Sequence, residues 1–247
     1  MRIDYTDLSK TYDDYRSYPK ELMKETIEFG GIREGMKVLD LGCGTGNVAV
    51  SLREMIDVEV IGIDVSLAML KKARAKSLRV VAADIEKDRM PFRDGSFDRV
   101  LSVYVIHQIR DLTFTLSECR RILGKGSLVL LTSGHAQLEH QHPAILEFFP
   151  SFVDVERSRF PDTPQVESLL KTSGFSDVKH REVKVGGLPL DETFLQKVKN
   201  KYISTYCLLP EDEYKIGVEK LERFIKNRTR TEFREWRAVL VRGSRPE

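Results

Sequence analysis

Cysteine is scarce in this chain: three in 247 residues, at Cys43, Cys119 and Cys207, far apart and odd in number. They give neither a disulfide framework nor metal-ligand spacing, which favours a reducing, cytoplasmic setting. No uninterrupted apolar stretch approaches the roughly 20 residues needed to cross a bilayer. No membrane partner is therefore expected. The opening Met-Arg-Ile-Asp-Tyr-Thr-Asp has no secretory core. A net charge of +2 gives no electrostatic case for nucleic acid. Repeats, low-complexity tracts and domain linkers are absent as well. The composition, 41% hydrophobic and 32% charged, is that of a globular chain long enough for one α/β domain with a small elaboration.

The most informative stretch is 38–46, Val-Leu-Asp-Leu-Gly-Cys-Gly-Thr-Gly. An apolar run reaches Asp40, glycines follow at Gly42, Gly44 and Gly46, and residues 47–55 have a helix-like pattern. The order implied is a buried strand, a tight turn and a helix. Glycine permits positive φ and lets a ligand lie against bare backbone. Open α/β sheets bind nucleotides in this crevice, at the carboxyl end of the first strand. The spacing differs from the G-x-G-x-x-G of dinucleotide folds, where a helix N-terminus faces a pyrophosphate. An acid just before the turn repels phosphate and suits a cationic, phosphate-free ligand such as S-adenosylmethionine (SAM).

Two more strands end in an acid. Residues 58–64, Val-Glu-Val-Ile-Gly-Ile-Asp, stop at Asp64, placed to reach a ribose as the acid after the second strand does in such folds. Ser66 then caps a helix over 67–74. Residues 79–84, Arg-Val-Val-Ala-Ala-Asp, stop at Asp84. Three carboxylates along one rim of a parallel sheet exceed what punctuation by Asp at strand ends accounts for.

With these motifs in view, the chain resembles the class I SAM-dependent methyltransferases, in the UbiE-like, type 11 subgroup. The matching residues are 38–46, Gly-Ile-Asp-Val-Ser at 62–66, Ala-Ala-Asp-Ile-Glu at 82–86, Pro-Phe-Arg-Asp-Gly-Ser-Phe-Asp at 91–98 and Glu-Cys-Arg-Arg-Ile-Leu at 118–123. One departure is Gly-Lys-Gly at 124–126, where the family has Lys-Pro-Gly-Gly; the glycines are expected to keep the turn. The resemblance implies an α/β, Rossmann-like sheet of seven mostly parallel strands in the order 3-2-1-4-5-7-6. The last strand is antiparallel and helices cover both faces. It implies SAM as methyl donor and a small-molecule acceptor.

On that resemblance, donor and acceptor types distribute the cofactor roles. Gly42, Cys43 and Gly44 offer backbone, and Asp40 favours the methionine ammonium. Asp64 accepts from the ribose hydroxyls. Val65 and Met69 pack on the adenine, which Asp84 and the Ile85 amide recognise. Ser102 lies near the sulfonium. Tyr15 and Arg16 belong to an aromatic-basic segment that closes over the cofactor. A histidine such as His107, just past the fourth strand, faces the transfer site in this subgroup. It either accepts a proton from the acceptor or fills the pocket wall.

The chain divides into an N-terminal lid segment (1–35), a SAM-binding core (36–135) and a helical insertion before the last strand (186–235). Tyrosines crowd the first part at Tyr5, Tyr12, Tyr15 and Tyr18. Further strands are expected at 97–105, 127–132, 178–185 and 236–242, and helices at 111–123, 163–173, 191–206 and 210–227. The span 186–234 is too long for a hairpin connection. It either covers the substrate pocket, or only stabilises the sheet edge or forms a homodimer.

His135, His140 and His142, with Glu139, match no helical ligand pair, and a polar pocket rim is expected of them rather than a metal site. Phe148, Phe149, Phe152 and Phe160, with Pro150 and Pro161, wall an apolar pocket or form plain core. The stretch Ser-Val-Tyr-Val at 102–105 lacks the Asn/Asp-Pro-Pro-aromatic signature of base amino-group methylation. The basic run 226–237 is diluted by Glu232 and Glu235, which argues against RNA. Three rivals stay in view: a SAM-binding regulator or scaffold without turnover, a methyltransferase acting on RNA or protein, and an NAD-dependent oxidoreductase.

Overall fold

The computed structural model describes residues 5–16, 18–227 and 231–246, with the side chains of 5–8 and 10 left aside. The Tyr5 side chain and residues 228–230 of the basic run lie outside the described residues. Among the strands, β1 (Lys37–Leu41), β2 (Glu59–Asp64), β3 (Arg79–Ala82), β4 (Phe97–Val103) and β5 (Leu123–Thr132) run parallel. β6 (Ser176–Leu190) and β7 (Glu232–Ser244) complete the sheet, β7 lying antiparallel to both β5 and β6. The order is β3-β2-β1-β4-β5-β7-β6, as the resemblance implies.

Side chains of a strand alternate between faces, and here both faces are covered. Val38, Leu101, Val129 and Leu240 face one cluster with Leu22, Phe29 and Leu52. These come from α2 (Lys20–Gly30) and α3 (Asn47–Met55), which follow α1 (Tyr5–Tyr15). Their neighbours Leu39, Val100, Leu128 and Val241 face the other cluster, with Leu116, Ile122 and Leu170. The helices on that side are α5 (Leu112–Ile122) and α9 (Thr163–Thr172), while α4 (Leu67–Ala75) links β2 to β3. Two-sided burial explains the unbroken apolar stretches at 38–39, 100–101 and 128–131 in the middle of β1, β4 and β5.

A third cluster stands apart from the sheet. Ile145, Phe149 and Phe152 meet Phe194, Leu195, Val198, Tyr206 and Leu221. It joins α7 (Pro143–Phe148) and α8 (Phe152–Arg157), which follow the one-turn α6 (His135–Leu138), to α10 (Glu192–Lys199) and α11 (Glu211–Asn227) of the insertion. No helix among the described residues is long and apolar enough to cross a membrane.

Four local expectations are corrected. Residues 124–126 do not make a separate turn: α5 runs directly into β5, and the register shifts between Phe97 and Arg99 instead. A Cβ at Gly126 would sit 2.0 Å from the Asp98 carbonyl oxygen, so glycine is required for close strand approach. β4 stops at Val103, because Tyr104 turns to φ 54°. The helix expected over 191–206 stops at Lys199, with Lys201 at φ 47° and a 3-10 turn at Ser204–Cys207. The last two strands extend past the sheet as a two-stranded antiparallel arm, pairing Leu188 with Arg234 and Leu190 with Glu232 after a shift at 185–188.

Candidate active site

The glycine turn has the shape its sequence demands. Gly42, Gly44 and Gly46 adopt φ of 72°, 52° and 81°. The amides of Gly42 and Cys43 both donate to the Ile63 carbonyl, at 2.8 and 3.0 Å, locking the turn onto β2. A Cβ at Gly42 would strike Val105 and one at Gly46 would strike Leu78, whereas one at Gly44 would point into open space. Gly44 is thus the glycine whose bare backbone faces the cleft. The Cys43 side chain packs beneath, where a Cβ at Gly62 would lie 2.5 Å from its Sγ. Burial, and then the charges of Asp40 and Asp64, push its thiol well up, so Cys43 contributes backbone rather than sulfur chemistry.

Asp40, Asp64 and Asp84 stand at or just beyond the carboxyl ends of β1, β2 and β3. Asp40 is 2% exposed, and its Oδ2 is buried with no hydrogen-bond partner. Burial first, and then the charge of Asp64, raise its carboxyl to about 7. A cation beside that oxygen would remove the anomaly. Asp64 accepts from Gly44 N at 2.9 Å through Oδ2 and from Ser66 N at 2.8 Å through Oδ1. Ser66 caps α4 by accepting from Met69 N. Val65 is half exposed at the rim and Met69 is buried. Asp84 accepts from Glu86 N at 3.2 Å and pairs with Lys87 at 3.4 Å. The Ile85 carbonyl accepts from Thr115 at 3.0 Å, which fixes that loop. Ser102 is buried with its hydroxyl unpartnered.

The N-terminal segment is tied to this turn through a residue that sequence reading missed. Asp13 accepts from Thr45 Oγ1 at 2.5 Å and pairs with Lys76 at 2.8 Å. Lys76 also donates to Asn47, which donates to the Arg16 carbonyl at 2.8 Å. Burial opposes the charge on Asp13, yet bonds from Lys76 and Thr45 and the nearby lysines hold its carboxyl below the usual range. The only hint in the sequence was an acid beside Tyr15 and Arg16; its partners are 32 and 63 positions away. Arg16 Nε donates to the Tyr202 carbonyl at 2.8 Å, joining the same segment to the insertion.

Beside the turn lies a cavity of about 190 Å³, walled by Tyr15, Arg16, the sheet end, α8 and the insertion. Val105, which abuts Gly42, follows Tyr104 and precedes His107 by two residues, and both Tyr104 and His107 line the cavity. The His107 ring stacks on Phe160 at 4.0 Å and 15°, and its Nδ1 is buried without a partner. Burial, and then the charges of Arg159 and Arg16, hold the imidazole well below its ordinary value, so it is neutral near pH 7. Glu156 is 7% exposed in the wall; burial raises its carboxyl, which accepts from Thr205 and lies 3.7 Å from Arg159.

The other candidates scatter. His135 contacts the Phe160 carbonyl, His140 the Ala136 carbonyl, and His142 caps α7 and meets Glu232 at 3.0 Å. No group of three or more His, Cys, Asp or Glu able to hold a metal occurs among the described residues. Phe152 and Phe160 line the cavity, while Phe149 is core packed tightly against Gly217.

Residues 39–131 match the family model described as a methyltransferase domain. Demethylmenaquinone methyltransferase of Staphylococcus aureus (strain MRSA252) is 32% identical over 142 residues, 51% of this chain and 56% of that enzyme. The chain thus matches little more than half the length of that relative. An uncharacterised protein of Methanocaldococcus jannaschii is 27% identical over 224 residues, covering 82% of this chain and 86% of its own. Among solved structures, an Anabaena variabilis protein described as a candidate methyltransferase of an antibiotic biosynthesis pathway has TM-score 0.75 at 20% identity. It covers 93% of this chain and 99% of its own. A Haemonchus contortus phosphoethanolamine N-methyltransferase, solved with phosphomonomethylethanolamine and S-adenosylhomocysteine, has TM-score 0.57 at 20% identity. It covers 91% of this chain and 52% of its own. At such identities the likeness is one of fold.

Proposed function

We propose that the protein transfers a methyl group from SAM to a small-molecule acceptor held in the cavity beside the glycine turn. The observation that carries this reading is the buried Asp40 oxygen without a partner, next to a turn whose Gly44 faces open space. That donor set fits a phosphate-free cationic nucleoside. When bound, SAM supplies a methyl carbon activated by the positive charge on its sulfur.

The chain's task is then to bind, aim and exclude water. Asp40 offers charge to the ammonium, and Gly42, Cys43 and Gly44 offer backbone. Asp64, at the end of β2, accepts from the ribose hydroxyls. Val65 and Met69 flank the adenine, and Asp84 and the Ile85 amide recognise its edge. Ser102 stands by the sulfur. Tyr15 and Arg16, the latter held by Asn47 and Tyr202, close the cofactor half. Neutral His107 can accept a proton from an acceptor that carries one. The insertion and the lid segment serve as substrate cover. An open cavity supports turnover over a binding-only role, which a side-chain-filled pocket would suit better. Three free cysteines are consistent with work in the cytoplasm.

Calorimetry with SAM, S-adenosylhomocysteine and NAD tests the cofactor. The expected result is binding of the two adenosyl ligands; NAD binding without SAM binding overturns the reading. A metabolite extract incubated with labelled methyl donor and read by mass spectrometry identifies the acceptor.

A further inference from the structure

The cavity has two unlike ends. Tyr104 and His107 mark the end nearest the glycine turn. At the other end Lys197 of α10 and Arg234 of β7 line the wall. Arg234 lies two residues before Trp236, hence about 7 Å farther along the strand, and Trp236 is the residue that touches Tyr104. Phe194 stands one helical turn before Lys197, and the Arg234 guanidinium covers its ring at 4.8 Å.

Among the described residues neither cation has a carboxylate within ion-pair distance, although the charge of Asp191 reaches Lys197 from farther off. Arg234 Nε is buried without a hydrogen-bond partner. The nearby acids are engaged elsewhere. Glu232 meets His142, Glu235 meets Arg237, Glu156 is held by Thr205 and Arg159, and Asp191 caps α10. Burial, and then the positive charge of Arg234, lower the Lys197 ammonium from its ordinary value, which means the two are close enough to repel. Two half-buried like charges that share one end of a cavity are an unsatisfied arrangement. An anion would resolve it, with guanidinium and ammonium donating to its oxygens. Aromatic rings recur around the wall, at Trp236, Phe152, Phe160 and Phe194, with polar Ser133, Glu156 and Thr205 among them.

We infer that the acceptor is a largely apolar, aromatic-sized molecule bearing an anionic group, carboxylate or phosphate, which Lys197 and Arg234 hold while its methylated atom lies by Tyr104 and His107. Which end reacts rests on the methyl-transfer reading; the anion site itself does not.

The test uses 2-naphthoate, its neutral isostere 2-naphthamide, and 2-naphthyl phosphate. Each is titrated calorimetrically into the full chain, with and without saturating S-adenosylhomocysteine. The expected result is that at least one acid binds about tenfold or more tighter than the amide. The better of the two acids tells carboxylate from phosphate. In Arg234→Gln and Lys197→Met that preference shrinks at least severalfold, while thermal stability and S-adenosylhomocysteine affinity hold. Equal binding of acids and amide, no binding of either acid, or an unchanged preference in both variants overturns the inference. If S-adenosylhomocysteine fails to bind but the acids are still preferred, the methyl-transfer reading falls and the anion site stands.

Discussion

The indole Nε1 of Trp236 donates a 2.9 Å hydrogen bond to the Tyr104 phenol oxygen, and the two rings stack at 5.7 Å and 26°. Tyr104 follows the carboxyl end of β4, and Trp236 lies on β7 shortly after the insertion. Burial raises the Tyr104 phenol to about 12, so the bond joins two neutral groups. Trp236→Phe keeps the ring and loses the donor. It is expected to cost about 0.5–1.5 kcal/mol in denaturant unfolding. The acceptor KM should rise several-fold while S-adenosylhomocysteine affinity is unchanged; loss of cofactor affinity instead would place Trp236 in the other half of the site.

Asp40 predicts an unusual pH profile. Its carboxyl titrates near 3.8 when unfolded and about 7 when folded. Between those values the folded chain holds a proton that the unfolded chain has released. Stability of the ligand-free protein therefore falls as pH rises through that window. Asp40→Asn is expected to flatten this limb in unfolding measured from pH 4 to 7.5, and to weaken SAM binding about tenfold or more. A variant with undiminished SAM affinity contradicts the role given to this carboxylate.

Two neighbouring glycines should fail in different ways. Gly44→Ala meets open space but strains a positive φ, costing about 1–2 kcal/mol. Its methyl group points into the cleft, so SAM binding should be lost from a protein that still unfolds cooperatively. Gly46→Ala would place a Cβ 2.2 Å from Leu78, and its loss should appear first as a lower Tm. Calorimetry beside thermal unfolding reads both, and identical behaviour of the two variants contradicts the distinction.

For His107 the sign runs the other way. Its imidazole is held well below 6.5 in the fold. As pH drops through about 6.5 the unfolded chain takes up a proton that the folded chain refuses. Stability should therefore fall on acidification, and His107→Gln should reduce that fall. If the ring accepts a proton from the acceptor, turnover of the variant should drop about a hundredfold with cofactor affinity intact. Full turnover removes it from proton transfer and leaves it as pocket wall.

The sheet was legible because each parallel strand is an apolar run closed by a residue with its own local physics. Gly42, Ser66 and Asp111 mark where chain direction changes. What escaped notice depended on distance. Nothing near Asp13 announces Thr45 or Lys76. Nothing in Gly124-Lys125-Gly126 tells a turn from a bulge, because the Asp98 carbonyl decides it from another strand. The break after Lys199 was also hidden, since Lys201 adopts φ 47° without being glycine. Of the site, the acid-tipped rim was readable from order and spacing. The cavity was not, because Lys197, Phe194, Arg234 and Trp236 meet only once β6 and β7 pair beyond the sheet.

The third apolar cluster carries a lesson for anyone wishing to graft part of this protein onto another scaffold. Ile145, Phe149 and Phe152 come from the stretch after β5, whereas Phe194, Tyr206 and Leu221 come from the loop between β6 and β7. Excising residues 191–231 would strip the first three of their companions and leave greasy stumps facing water. That lobe is therefore no detachable cassette: two separate pieces of chain have to be exchanged together, or neither.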